Sequence, residues 1–204
     1  MRLIAVALFC FAQILSAQNV SLLDKLSERI SKSCLELDYS YYVRISGINN
    51  VGQGHLQCQG YMWKMVGNGV EMYCDSTSVW VVDPTNKEVV VEPAEVEEKV
   101  QLQTNPAVLF VHMKDFFTVR ESRKIDSQGT VLYILDSKQK GDIDYFNVEI
   151  VESDQSIRNA VISLSDGTLI KIEVSSMKLT PVLPIEDFRP HIKFDSSWIV
   201  TDLR

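Results

Sequence analysis

The chain has 204 residues, with 20 lysines and arginines against 27 aspartates and glutamates, for a net charge of −7. Apolar residues make up 46% of it and aromatics 9%, enough for one well-filled core. So acidic a balance, without a basic cluster, argues against a nucleic-acid binder and against charge-driven binding to anionic membranes.

The first residues address the chain for export. Met1 and Arg2 form a short positive region, LIAVALFCFAQIL is an apolar run, and Ser16-Ala17 offers a small-residue cleavage site before Gln18. That layout predicts a signal peptide over 1–17 and a mature domain over 18–204. The run is too short to span a bilayer comfortably and no second one follows, so the mature chain is read as not membrane-spanning. Cys10 follows Phe9 inside the apolar run, which argues against a lipidated cysteine. Cys34, Cys58 and Cys74 then remain. They allow either a Cys58–Cys74 bridge between neighbouring strands or three small buried apolar residues.

Residues 20–36 read as an amphipathic helix. Leu22, Leu26, Ile30 and Cys34 recur every four residues, Leu23 and Leu37 flank that stripe, and Ser21 with Asp24 suggests a capping box. The period then drops to two: in YSYYVRISG, Tyr39, Tyr41, Val43 and Ile45 alternate with polar neighbours. GHLQCQGYMWKMV and VEMYC flank Gly67-Asn68-Gly69, a hairpin signal, and VWVVDP and KEVVVEP follow as strands. TNPAVLFVHMKDFF interrupts them with the Asn-Pro start of a helix over 105–113 that is apolar nearly all round.

Alternation resumes in TVLYILD, DYFNVEIV, IRNAVISL and TLIKIEVS, where Phe146, Val148 and Ile150 share a face, as do Ile170, Ile172 and Val174. TPVLPIEDFRP is proline-broken, a loop with room for one helical turn, and IKFDSSWIVTDLR ends in a last strand. These elements predict one α+β domain: an antiparallel sheet of about ten strands that must curl or close, with the two helices as the natural covers of its apolar concave face.

Catalytic chemistry is poorly represented. His55, His112 and His191 are not at metal-ligand spacing, and no nucleophile elbow, phosphate loop or dinucleotide fingerprint occurs. Ser175 to Lys178 and Ser137 to Lys140 match S-x-x-K only formally, without companion motifs. His112, alone in an apolar helix, reads as a hydrogen-bonded core or rim residue. The expectation is a protein without catalytic residues, metal or cofactor.

The order of elements resembles the LolA-like periplasmic carriers of outer-membrane lipoproteins. GNGVEMYCDSTSVWVVDPTNKEVVVEP is similar to that family's D-G-x-x-x-W-x-x-x-P hairpin, with Asp75, Trp80 and Pro84 in place and Ser76 where glycine is usual. TNPAVLFV resembles its N-P-x-x-L helix and FDSSWIVTDLR its C-terminal ending. The resemblance implies an incomplete antiparallel barrel, a strongly curved sheet with an apolar cavity under a helical lid, and lipid-modified proteins as cargo. It also implies an inner-membrane release complex and an outer-membrane acceptor as partners, and a monomer in the periplasm. In the best-described carriers a strand arginine fastens the lid; YMWKMVGNGVEMYC has Lys64 and no arginine.

Strand parity nominates Tyr41, Val43, Ile45, Phe146, Val148, Ile150, Ile170 and Ile172 as cavity residues. Leu22, Leu26 and Ile30 join them from the first helix, and Val108, Leu109, Phe110 and Met113 form the lid; a dry core is the competing reading. Moving an acyl chain of about fifteen methylenes out of water is worth ~12 kcal/mol, more than a surface patch can shield. A lid that fills the empty cavity would offset much of that gain and permit handover. A carrier of another amphiphile, a glycolipid or a free lipid, and a secreted scaffold that binds a protein along a sheet edge are the alternatives.

Overall fold

Period-two alternation dominates because most of the chain lies in one sheet. The computed structural model describes residues 21–94, 108–138 and 143–204. The proposed signal peptide, Asn105 to Ala107 and the Lys140 to Asp142 turn lie outside the described residues.

Helix α1, Leu22–Ser31, opens on the expected capping box: Ser21 Oγ accepts from the Asp24 amide, and the Asp24 carboxylate accepts from the Ser21 amide. It is shorter than the periodicity predicts, because β1 already begins at Cys34 and runs to Ile45. Leu35 and Leu37 therefore belong to a strand. The four-residue spacing that ends on Cys34 runs across a helix–strand junction.

The strands that follow are β2 (Ile48–Gln59), β3 (Met62–Gly67), β4 (Val70–Cys74), β5 (Ser78–Asp83) and β6 (Glu88–Pro93). Asn68 and Gly69 form the β3–β4 turn with φ of 52° and 81°, as a two-residue hairpin requires. The strand expected over 54–66 is two strands, split at Gly60-Tyr61, where Gly60 takes φ 55°. Next come two short helices, α2 (Val108–Val111) and α3 (Met113–Phe116), in place of the single helix expected over 105–113.

Strands β7 (Phe117–Lys124), β8 (Thr130–Ser137), β9 (Ile143–Val151), β10 (Ser156–Leu164) and β11 (Leu169–Thr180) complete the second group. A 3-10 turn over Ile185–Phe188 occupies the proline-rich loop, and β12, Ile199–Asp202, closes the chain.

All twelve described strands form one open sheet, in the order β12-β6-β5-β4-β3-β2-β1-β11-β10-β9-β8-β7. The pairings are antiparallel except one: β12 lies parallel to β6, which corrects the expectation of a wholly antiparallel sheet. The long-range pair β1–β11 joins the two groups of strands. A bulge between Asp38 and Tyr39 keeps that pair in phase, so that Leu37 faces Met177 and Tyr39 faces Val174 on the same side. The extra residue is Ser175, whose hydroxyl donates to the Asp38 carbonyl.

One face of the sheet carries α1, α2 and α3. Leu26, Ile30, Leu109, Phe110, Met113 and Phe116 pack there with Leu35, Leu37, Leu56, Trp63, Phe146, Val148 and Ile150 in a single buried cluster. A smaller cluster on the opposite face joins Tyr73, Val82, Val89 and Val91 to Trp80, Ile192, Phe194 and Trp198. The segment after the 3-10 turn thus covers the far side of β4, β5 and β6. All three described cysteines are free and buried. Cys58 and Cys74 do not sit on neighbouring strands; Trp63 of β3 pairs in register with each and separates them.

Candidate functional site

The helices cover only part of the hollow. Beyond them the apolar face continues as an open groove of about 470 Å³, lined by Tyr39, Tyr41, Val43, Ile45, Met65, Leu164, Asp166, Thr168, Ile170 and Ile172. Its floor is the central pair of the sheet: Tyr41 lies opposite Ile172 and Val43 opposite Ile170. A second hollow of about 250 Å³ shares Tyr39, Tyr41 and Met65 and extends to Gln53, Asn68, Val70 and Met72.

Two glycines shape the floor. Tyr39 pairs with Gly54 and Tyr41 with Gly52 across β1 and β2. A Cβ added at Gly52 would stand 2.6 Å from the Tyr41 ring, and one at Gly54 3.0 Å from the Tyr39 hydroxyl. The two phenol rings therefore lie down over bare backbone and flank the groove. Asn68 Nδ2 donates to the Tyr41 hydroxyl at 2.6 Å, which fixes that ring against the β3–β4 turn. Burial, with the neighbouring Tyr41, pushes the Tyr39 phenol up to about 12, so it stays a neutral donor. At the mouth, the Thr168 amide donates to Asp166 Oδ1 at 2.8 Å and holds that carboxyl below its usual range.

The nominated residues separate into two sets. Tyr41, Val43, Ile45, Ile170 and Ile172 line the groove, where Ile45 is 51% exposed. Phe146, Val148 and Ile150 share that face but are 0% exposed, sealed beneath the helices together with Leu26 and Ile30. Leu22 packs half-buried against the same cluster. Leu109, Phe110 and Met113 are each 1% exposed, and none of them lines the groove. They fill the deep half of the hollow. Val108 begins α2, and its side chain lies outside the described residues.

The nomination missed Tyr39, Met65, Leu164, Asp166 and Thr168. Tyr39, Met65 and Leu164 could have been found by counting alternate residues along β1, β3 and β10, whereas Asp166 and Thr168 lie in and after a turn and have no periodic signal. Among the described residues no group of three or more histidines, cysteines or acids could hold a metal ion, and no helix is long and apolar enough to cross a membrane.

The short helices are tied at their break. Lys114 Nζ meets Asp24 Oδ1 of α1 at 2.6 Å, and Lys138 donates both to the Lys114 carbonyl and, through its amide, to the Phe116 carbonyl. His112, between α2 and α3, reaches Asp115 and the Gly60 carbonyl and stacks on Tyr61.

No known family model matches the sequence, and no curated protein does. Solved structures do match. An uncharacterized conserved protein from Thermus thermophilus is 11% identical over 89% of this chain and 96% of its own, with a TM-score of 0.53. A LolA superfamily protein from Nitrosomonas europaea is 12% identical over 83% of this chain and 96% of its own, at 0.45. A putative outer membrane lipoprotein-sorting protein domain from Vibrio parahaemolyticus is 10% identical over 81% and 95%, at 0.42. At these identities the likeness is one of fold. An open, curved sheet with helices laid in its hollow is the architecture that the order of elements led us to expect.

Proposed function

We propose that this protein is a periplasmic carrier that holds the acyl chains of lipid-modified proteins in its groove and hands them towards the outer membrane. The observation that carries the reading is the groove itself. Five aliphatic side chains, a methionine and two tyrosines line about 470 Å³ of space, within the few-hundred to ~1,000 Å³ range of ligand sites. The groove is open along one side, so a chain can enter while the modified protein stays in solvent. Its lining is mostly apolar and its one carboxylate, Asp166, is exposed to solvent, an arrangement for an amphiphile. The covered half adds capacity, because α2 and α3 occupy apolar space that a longer or second chain would claim by displacing them. On this reading the mature domain, residues 18–204, is an exported monomer without catalytic chemistry. It exchanges cargo with an inner-membrane release complex and an outer-membrane acceptor.

The test is a titration of residues 18–204 with an uncharged apolar fluorophore, followed by a triacylated lipopeptide. Stoichiometric uptake and one-to-one displacement are expected. Displacement by glycolipid or free fatty acid but not by lipopeptide would reassign the cargo. Absence of fluorophore uptake would refute the carrier and favour the scaffold.

A further inference from the structure

The break between α2 and α3 holds a histidine in an unusual setting. The His112 side chain is 11% exposed and its ring stacks on Tyr61, with centroids 4.4 Å apart and planes at 19°. Nδ1 lies 2.9 Å from Asp115 Oδ2, and Nε2 lies 3.3 Å from the Gly60 carbonyl oxygen. Both partners only accept. A neutral imidazole has one N–H and must turn a lone pair towards one of these oxygens; the imidazolium donates to both.

The two contacts differ in what they join. Asp115 belongs to α3, on the same side of the hollow as His112. Gly60 belongs to the β2–β3 turn, so the Nε2 bond fastens the helices to the sheet. When the ring loses a proton, the carboxylate, the stronger acceptor, keeps the remaining one on Nδ1. The bond to the sheet is the one that goes.

The other ionisable groups nearby are already committed. Lys114 is paired with Asp24 of α1. From the sheet, the Cys58 thiol donates to the Gly60 carbonyl and the Cys74 thiol to the Tyr61 carbonyl. Burial holds both thiols neutral. Asp115 and the Gly60 carbonyl are thus left as the partners that read the charge on His112.

We propose that His112 is a proton-operated latch, which fastens α2 and α3 to the β2–β3 turn when its ring is charged and frees them when it is neutral. The latch stands on its own geometry; its consequence for cargo rests on the carrier reading. Helices released from that tie are more easily displaced by cargo from the deep half of the hollow, so uptake is favoured at higher pH and closure at lower pH.

Amide hydrogen exchange of residues 108–116 in the purified chain tests the latch without reference to any ligand. After correction for the intrinsic pH dependence, protection should fall about tenfold between pH 5.5 and 8.5, the loss of one charge-assisted hydrogen bond. His112→Gln, whose amide donates to Gly60 but does not titrate, should stay protected at both pH values. His112→Phe, which keeps the stack and lacks the bond, should show at both pH values the lower protection of the wild type at pH 8.5. An equal fall in His112→Phe, or no fall in the wild type, would overturn the latch. Uptake of N-phenylnaphthylamine measured on the same samples separates the two ideas. A pH-dependent fall in protection with no uptake of the probe at any pH would leave the latch standing and refute the carrier.

Discussion

Asp75 and Arg189 join the two sides of the sheet's outer end. Arg189 Nε donates to Asp75 Oδ2 at 2.7 Å, and Asp75 is 1% exposed although its partner is not buried. Its other oxygen accepts from the Thr77 amide, the Thr77 hydroxyl and the Ser78 amide. Burial alone would raise the carboxyl's pKa. The Thr77 bonds, Arg189 and the Ser78 amide more than offset it and hold the pKa at about 2.

A depressed carboxylate stabilises the fold at any pH above its ordinary range and stops doing so as the pH falls through its folded value. Asp75 should therefore contribute about 2 kcal/mol from pH 5 upward, lost between pH 4 and pH 2. Asp75→Asn cannot satisfy donors on both oxygens and should cost about 2–3 kcal/mol at pH 7 while flattening that acid limb. Urea melts across pH 2–6 on both proteins would check this.

Val43 and Phe110 separate binding from folding. Val43→Asp places a charge in the half-open groove and should weaken an apolar fluorophore at least tenfold, because the charge must be desolvated when the groove fills. The far-ultraviolet circular dichroism spectrum should not change. Phe110→Asp, by contrast, buries a carboxylate in the main cluster beside Phe146 and should unfold the protein, a result to be read as loss of core.

The Phe110 and Phe146 rings meet edge to face, with centroids 6.1 Å apart. Each single substitution to alanine should cost about 3–5 kcal/mol. A double-mutant cycle should recover about 0.5–1.5 kcal/mol of coupling. Additive costs would mean that the helices do not press on β9 as described.

Gly52→Val should change the groove with little effect on stability. The Cβ of the new side chain first meets the ends of Tyr41 and Asn68, which can swing away. Tyr41 then loses its bond to Asn68 and moves into the groove. A severalfold weaker fluorophore affinity with Tm within a few degrees is expected.

Much of this arrangement was readable because local chemistry and tertiary need agreed. Ser21 and Asp24 cap α1, Asn68-Gly69 makes its turn, and Phe146, Val148 and Ile150 alternate because one face of β9 is buried. Reading failed where they parted. Strand β7 has no alternation because, from Thr118 on, it is an exposed edge, and Ile48 to Gln53 form a strand only through pairing with β1. For the site, parity identifies the face but not the depth. Phe146 and Ile170 point to the same side, and only the position of α1, α2 and α3 decides that one is sealed and the other open.

The seam between β1 and β11 joins strands far apart in the sequence, whereas the other antiparallel pairs join neighbours along the chain. Strands β1–β6 and β7–β11 are thus two meanders that can each form from local contacts. Their union is the slow, non-local step. The groove has the β1–β11 pair for its floor, so it comes into being only when the two meanders join. Either meander alone lacks half of this groove, so a ligand can be held across the seam only after the two have joined.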